Sequence, residues 1–142
     1  MKYDDASWHY GGQFPKDLKN AAGATHIAMF SAWCLLHGLG GALHAEDFAD
    51  ELERLRARQA TPGEWFINTC DAKFTDEDLN DEGNAFAAFY YAPEQSPYPT
   101  DYETAVAQDL DSIYHVPDTW ATYDLLAPVI EKRYSEWKQT QG

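Results

Sequence analysis

No lysine or arginine occurs in residues 74–131, although the chain carries ten of them elsewhere. Thirteen carboxylates fall in that block, so it supplies nearly all of the formal net charge of −14. Without a cationic patch, neither nucleic acid nor anionic lipid gains from counterion release, which argues against direct nucleic-acid binding. Cysteine is also scarce. Cys34 and Cys70 are the only two, both in apolar contexts, and read as buried free thiols of a reduced cytoplasm rather than a disulfide framework. No apolar run approaches the roughly 18–20 residues that a membrane span needs. Residues 1–12 (MKYDDASWHYGG) lack the apolar stretch of a signal peptide, so the expected compartment is the cytoplasm.

Catalytic signatures are missing as well. None of the five histidines (His9, His26, His37, His44, His115) forms the H-E-x-x-H pair of zinc hydrolases. The H-x-E at His44 has no P-C-x-x-C to complete a zinc deaminase set. No G-x-S-x-G elbow is present. Gly38-Leu39-Gly40-Gly41 follows a helical segment instead of opening one, and it reads as a helix stop rather than a phosphate cradle. Residues 76–83 (DEDLNDEG) match an EF-hand at Asp76, Asp78 and Asn80. Asp81 replaces the turn glycine and Ala87 the bidentate glutamate, so a capped helix start with a solvated acidic face is the better account. On these grounds no catalytic, cofactor-binding or metal-ligating set is expected.

What is present is a helical pattern. Residues 1–23 read as an aromatic-rich arm or short strand, with Gly11-Gly12 as a turn. Residues 24–37 are apolar on nearly every side, as in a central helix, and Gly38 supplies its left-handed stop. Residues 45–58 set Phe48, Leu52 and Leu55 on one face, with Asp50 and Arg54 able to pair outside. Thr61-Pro62-Gly63-Glu64 is a capping box with proline at the first helical position. Thr75 is expected to cap a further start, and residues 84–91 another buried helix. Residues 92–100, with three of the seven prolines, are expected to form a loop. Asp118 is expected to cap the last helix, whose inward stripe is Trp120, Tyr123, Leu126, Ile130, Tyr134 and Trp137, with a kink at Pro128. The expectation is one mostly α domain of about five to six helices over residues 1–142, with the arm packed on it.

Residues 2–15 (KYDDASWHYGGQFP), 23–33 (GATHIAMFSAW), 70–91 (CDAKFTDEDLNDEGNAFAAFYY) and 114–130 (YHVPDTWATYDLLAPVI) together resemble a family of uncharacterised single-domain bacterial proteins. That resemblance implies no activity. In character alone, the chain is similar to the immunity proteins of bacterial toxin systems, small acidic blockers of basic toxins. The functional expectation is therefore a non-enzymatic binder of a basic protein partner, such as a toxin or nuclease domain. Asp76, Glu77, Asp78, Asp81 and Glu82 would steer it, and Tyr98 and Tyr102 would be its anchors in an exposed proline loop. Thirteen acids that serve only solubility are the plain counter-reading. The alternative class is a small enzyme or metal-binding domain whose site gathers His9, His26 and Asp71 from separate segments. A monomer or a homodimer fits either.

Overall fold

A computed structural model describes residues 1–141. The fold is mostly α, with one short two-stranded ribbon. Strand β1 (Lys2–Asp5) pairs antiparallel with β2 (Lys73–Thr75), setting Asp4 opposite Phe74, with a bulge between Lys2 and Asp4. The N-terminal segment thus packs on the body as a strand. Asp5 then caps helix α1 (Ala6–Tyr10), accepting from the Ser7 N–H, so the chain turns into a helix immediately after the strand.

Helix α2 (Thr25–Leu36) is the axis of the core. Every residue from Thr25 to Leu35 is buried, which explains why its apolar residues show no preferred face. It contacts α4 (Pro62–Cys70) and α7 (Trp120–Gln141) most directly. Side chains such as Phe30 and Trp33 are fully buried there, each removal from water worth about 1.5–3 kcal/mol. Gly38 ends this segment with φ +76°, in the left-handed region expected for a helix stop.

Helix α3 (Ala49–Arg56) starts later than its pattern suggested, because a single wide π turn (Leu43–Asp47) precedes it. Leu52 and Leu55 face inward as expected. Arg54 pairs with Glu51 and Arg56 with Glu53, rather than Arg54 with Asp50. The Thr61 capping box opens α4 as its sequence specifies. Thr75 caps only a single 3-10 turn (Asp76–Asp78), and Asn80 caps α5 (Asp81–Tyr90) by accepting from Gly83 N–H.

Two expectations are corrected. The proline-rich loop opens α6 (Pro97–Tyr102) at Pro97, where a missing N–H costs nothing in the first helical turn. Asp118 does not cap α7. It reaches across to α4, accepting from Thr61 Oγ1 at 2.5 Å and Gly63 N–H at 2.8 Å, while Thr119 Oγ1 accepts from Thr122 N–H in the first turn of α7. Residue 63 must be glycine for this, since a Cβ would lie 2.4 Å from the Asp118 carboxylate. Of the α7 stripe, Tyr123, Leu126, Ile130 and Trp137 are buried and Trp120 and Tyr134 half-buried against the core, and the helix runs unbroken through Pro128.

Candidate functional site

Two polar centres lie within this apolar body. The first is built by β1, α1 and α2. Because Asp5 starts α1 at once, one helical turn brings His9 back over Asp4, and His9 Nε2 donates to Asp4 Oδ1 at 2.8 Å. The first turn of α2 supplies His26, whose Nε2 stands 3.8 Å from Asp4 Oδ2. The two imidazoles meet edge to face with ring centres 4.4 Å apart. Tyrosines close the surroundings: Tyr91 donates to Asp4 Oδ2 at 2.6 Å, and Tyr114 lies 2.9 Å from His9 Nδ1. In the neutral ring, with Nε2–H given to Asp4, Nδ1 of His9 accepts the Tyr114 hydroxyl.

The electrostatics of this centre follow from burial. Loss of water pushes the His26 imidazole down to about 3, and the neighbouring His9 adds to this against the opposing pull of Asp4. His26 is therefore neutral at physiological pH, and its Nδ1 has no hydrogen-bond partner. Burial alone would raise the Asp4 carboxyl. Hydrogen bonds from His9 and Tyr91, and the charge of His9, outweigh it and hold the group below the usual carboxylate range. Burial and Asp4 together raise the Tyr114 phenol, so the hydroxyl is not activated as a nucleophile.

The second centre joins the π turn after α2, the end of α4 and the 3-10 turn before α5. His44 Nε2 donates to Asp78 Oδ1 at 2.8 Å, and Cys70 Sγ lies 4.0 Å from that nitrogen and 3.9 Å from that oxygen. Glycine explains why these segments meet. Gly41 N–H donates to Asp78 O, Asn80 N–H to Leu39 O, and a Cβ on Gly41 would stand 2.8 Å from Leu79 O. The Gly38–Gly41 run is thus a docking surface for the backbone of residues 77–80, in addition to a helix stop. Thr75 N–H donates to Asp78 Oδ2, fixing the carboxylate. This is not a Cys-His-Asp relay, because thiol and carboxylate both face Nε2 while Nδ1 is buried without a partner.

The residues expected to form a docking face are scattered among other tasks. Tyr98 and Tyr102 are buried, not exposed anchors: Tyr98 donates to His26 O at 2.5 Å, and Tyr102 packs beside the His26 ring. Proline-started α6 turns both rings into the core. Asp78 belongs to the second centre and is buried. Asp76 pairs with the Met1 amino group, and Glu82 binds Lys138 and the Tyr134 hydroxyl. Glu77 and Asp81 are exposed. The EF-hand fragment is likewise dispersed, with Asp76 paired, Asp78 buried and Asn80 used as a cap.

Of the alternative set, His9 and His26 do converge. Asp71 does not join them: it ends α4 in the left-handed region, pairs with Lys73 and is almost fully solvated. Asp4 takes that place. One carboxylate of an acidic doublet in an N-terminal arm gives no warning of this, and only the strand pairing turns it inward. The sequence sets Cys70 in an apolar context, whereas its thiol faces His44 and Asp78.

A small helical body with two buried His/Asp centres is the class that fold and site define. The chain belongs to a family described as a domain of unknown function, DUF7832, whose model matches residues 2–116. That match takes in every residue of both centres and ends before α7. No curated protein and no solved structure matches the chain. Among the described residues, no helix is long and apolar enough to cross a membrane.

Proposed function

We propose that the protein binds a divalent transition metal through Asp4, His9 and His26. The observation that carries this reading is the convergence of two imidazoles and one carboxylate, from three separate elements, with one ligand atom each within 4.8 Å of the others. Two histidines and one carboxylate suit Fe(II), Zn(II) and similar borderline ions and leave further coordination positions open. A neutral His26 offers a lone pair without first losing a proton. When His9 Nε2 coordinates, its proton moves to Nδ1 and is donated to the Tyr114 oxygen, the outer partner that a metal-bound histidine needs. His9 is the most exposed of the three and marks the route of entry.

Calorimetric titration of metal-free protein with Zn(II) and Fe(II), the latter without oxygen, tests this. His9→Gln, at the edge of the site, is expected to lose binding at this centre while keeping the helical circular dichroism of the wild type. Equal affinity in His9→Gln and wild type would refute the assignment.

A second reading keeps the basic protein partner. It is supported by Glu77 and Asp81, exposed and without an ion pair among the described residues. Arg58, Arg133 and Lys138, however, neutralise Asp124, Asp101 and Glu82, so the acidic block is less bare in space than in sequence. An immunity-type role would thus depend on steering charge without the two tyrosine anchors. Salt-stepped pull-down with the Glu77→Gln/Asp81→Asn double variant checks it. Retention of the same basic protein by that variant would remove these two carboxylates from the interface.

A further inference from the structure

We infer that His44, Cys70 and Asp78 form a second, thiolate-containing metal centre, chemically distinct from the Asp4 centre and independent of it. Three donor atoms, His44 Nε2, Asp78 Oδ1 and Cys70 Sγ, make a triangle with sides of 2.8, 3.9 and 4.0 Å. The point equidistant from all three lies roughly 2.1 Å from each, against bonds of about 2.0–2.1 Å for Zn–N, 2.0–2.2 Å for Zn–O and 2.3 Å for Zn–S. A cation at that point needs only small side-chain adjustments.

Hydrogen bonding alone leaves this cluster poorly satisfied. The Nε2–H of His44 has one direction, and Asp78 Oδ1 occupies it, so the thiol interacts with both only at the long distances proper to sulfur. His44 and Asp78 are both more than nine-tenths buried, and His44 Nδ1 has no partner. A cation would be met by three lone pairs at once, with no donor shared between two acceptors. Asp78 is held for this by the Thr75 N–H, and the Gly38–Gly41 docking fixes the segment that carries His44.

Burial, and then the Asp78 carboxylate, push the Cys70 thiol well up, so without metal it stays protonated and inert. Binding replaces the S–H bond by a metal–sulfur bond and releases that proton to solvent; the Nε2 proton of His44 moves to Nδ1 or is released as well. Sulfur in the donor set selects thiophilic ions such as Zn(II) and Co(II) over magnesium or calcium. A groove of about 220 Å³, lined by Gly40, Gly41, Ala45, Leu52 and Arg56, lies against His44.

Cobalt separates this centre from the first, since only a thiolate ligand gives a sulfur-to-Co(II) charge-transfer band in the near ultraviolet. Titration of metal-free, reduced full-length protein with Co(II) should produce that band. It should vanish in Cys70→Ser and survive in His9→Gln and Cys34→Ala. In wild-type protein, Zn(II) should also protect Cys70 from iodoacetamide under mild denaturant by at least tenfold, read by peptide mapping, and this arm needs no variant. Absence of a band, a band that persists in Cys70→Ser, or unprotected Cys70 would each overturn the inference. Loss of the band in His9→Gln would overturn the independence of the two centres, whereas loss in that variant of only the binding step that carries no band would support both.

Discussion

The two buried centres use the same kinds of residue in opposite ways. Around Asp4 nearly every polar atom is wired: one oxygen accepts from His9 and Asp5 N–H, the other from Tyr91, and His9 continues to Tyr114. Around Asp78 the donors are fewer: one oxygen accepts from His44 and the other from Thr75 N–H, and a thiol stands at the edge at sulfur distance. A wired carboxylate contributes to the stability of the metal-free fold. One with fewer donors contributes less, and a cation there displaces fewer hydrogen bonds. The contrast predicts where each centre is fragile.

The largest effect should come from Asp4→Ala, which strands His9 and the buried Tyr91 hydroxyl. A loss of about 3–5 kcal/mol is expected from breaking such a buried network, measured by urea unfolding, and Cys70→Ala should cost much less. Equal costs would erase the contrast. Next is pH. In the window from 6.5 down to about 3, the unfolded chain protonates His26 while the folded chain does not. The unfolded state then binds more protons, so metal-free stability falls as pH falls, by up to about 1.4 kcal/mol per pH unit. Asp4, with its lowered value, acts in the same direction at the acid end. Urea midpoints across that range should show the slope, and His26→Leu should flatten it; an unchanged slope in that variant counts against a neutral buried imidazole.

Gly41→Ala acts on the other centre alone. Its Cβ would press on Leu79 O and Glu77 O and lift His44 away from Asp78, at about 1–3 kcal/mol. The Co(II) thiolate band should weaken while zinc binding at Asp4 persists. The smallest change is Tyr114→Phe, which removes only the hydroxyl at His9 Nδ1. About 1 kcal/mol of stability is expected to go, together with a measurable loss of metal affinity at the Asp4 centre by calorimetry.

Elements that report on themselves were legible in the sequence. The all-round apolar run of α2, the Thr61 capping box and the stripe of α7 each follow from local spacing, and each is found where that spacing puts it. What failed depended on partners far along the chain. Asp118 has the right residue type to cap the helix just ahead of it, yet it caps α4, 55 residues back. Proline counts suggested a loop at residues 92–100, but Pro97 starts a helix and carries Tyr98 inward. Of the first centre, the sequence points to His9 and His26 together, but to Asp71 rather than Asp4 as the carboxylate. The second centre was invisible, since His44, Cys70 and Asp78 lie 26 and 8 residues apart with no motif spacing. Only the glycine-mediated crossing of residues 38–41 over 77–80 joins them.

The ribbon of β1 and β2 sets an order of events. Asp4 rests opposite Phe74, its tyrosine donor lies 87 residues ahead, and the phenol of Tyr114 lies 105 residues beyond His9. Folding must therefore bring residues 2–10 to partners as many as 105 residues away. Closing loops of such length costs entropy before any contact repays it, so this segment is seated late in folding, and a metal captured there would mark a folded body.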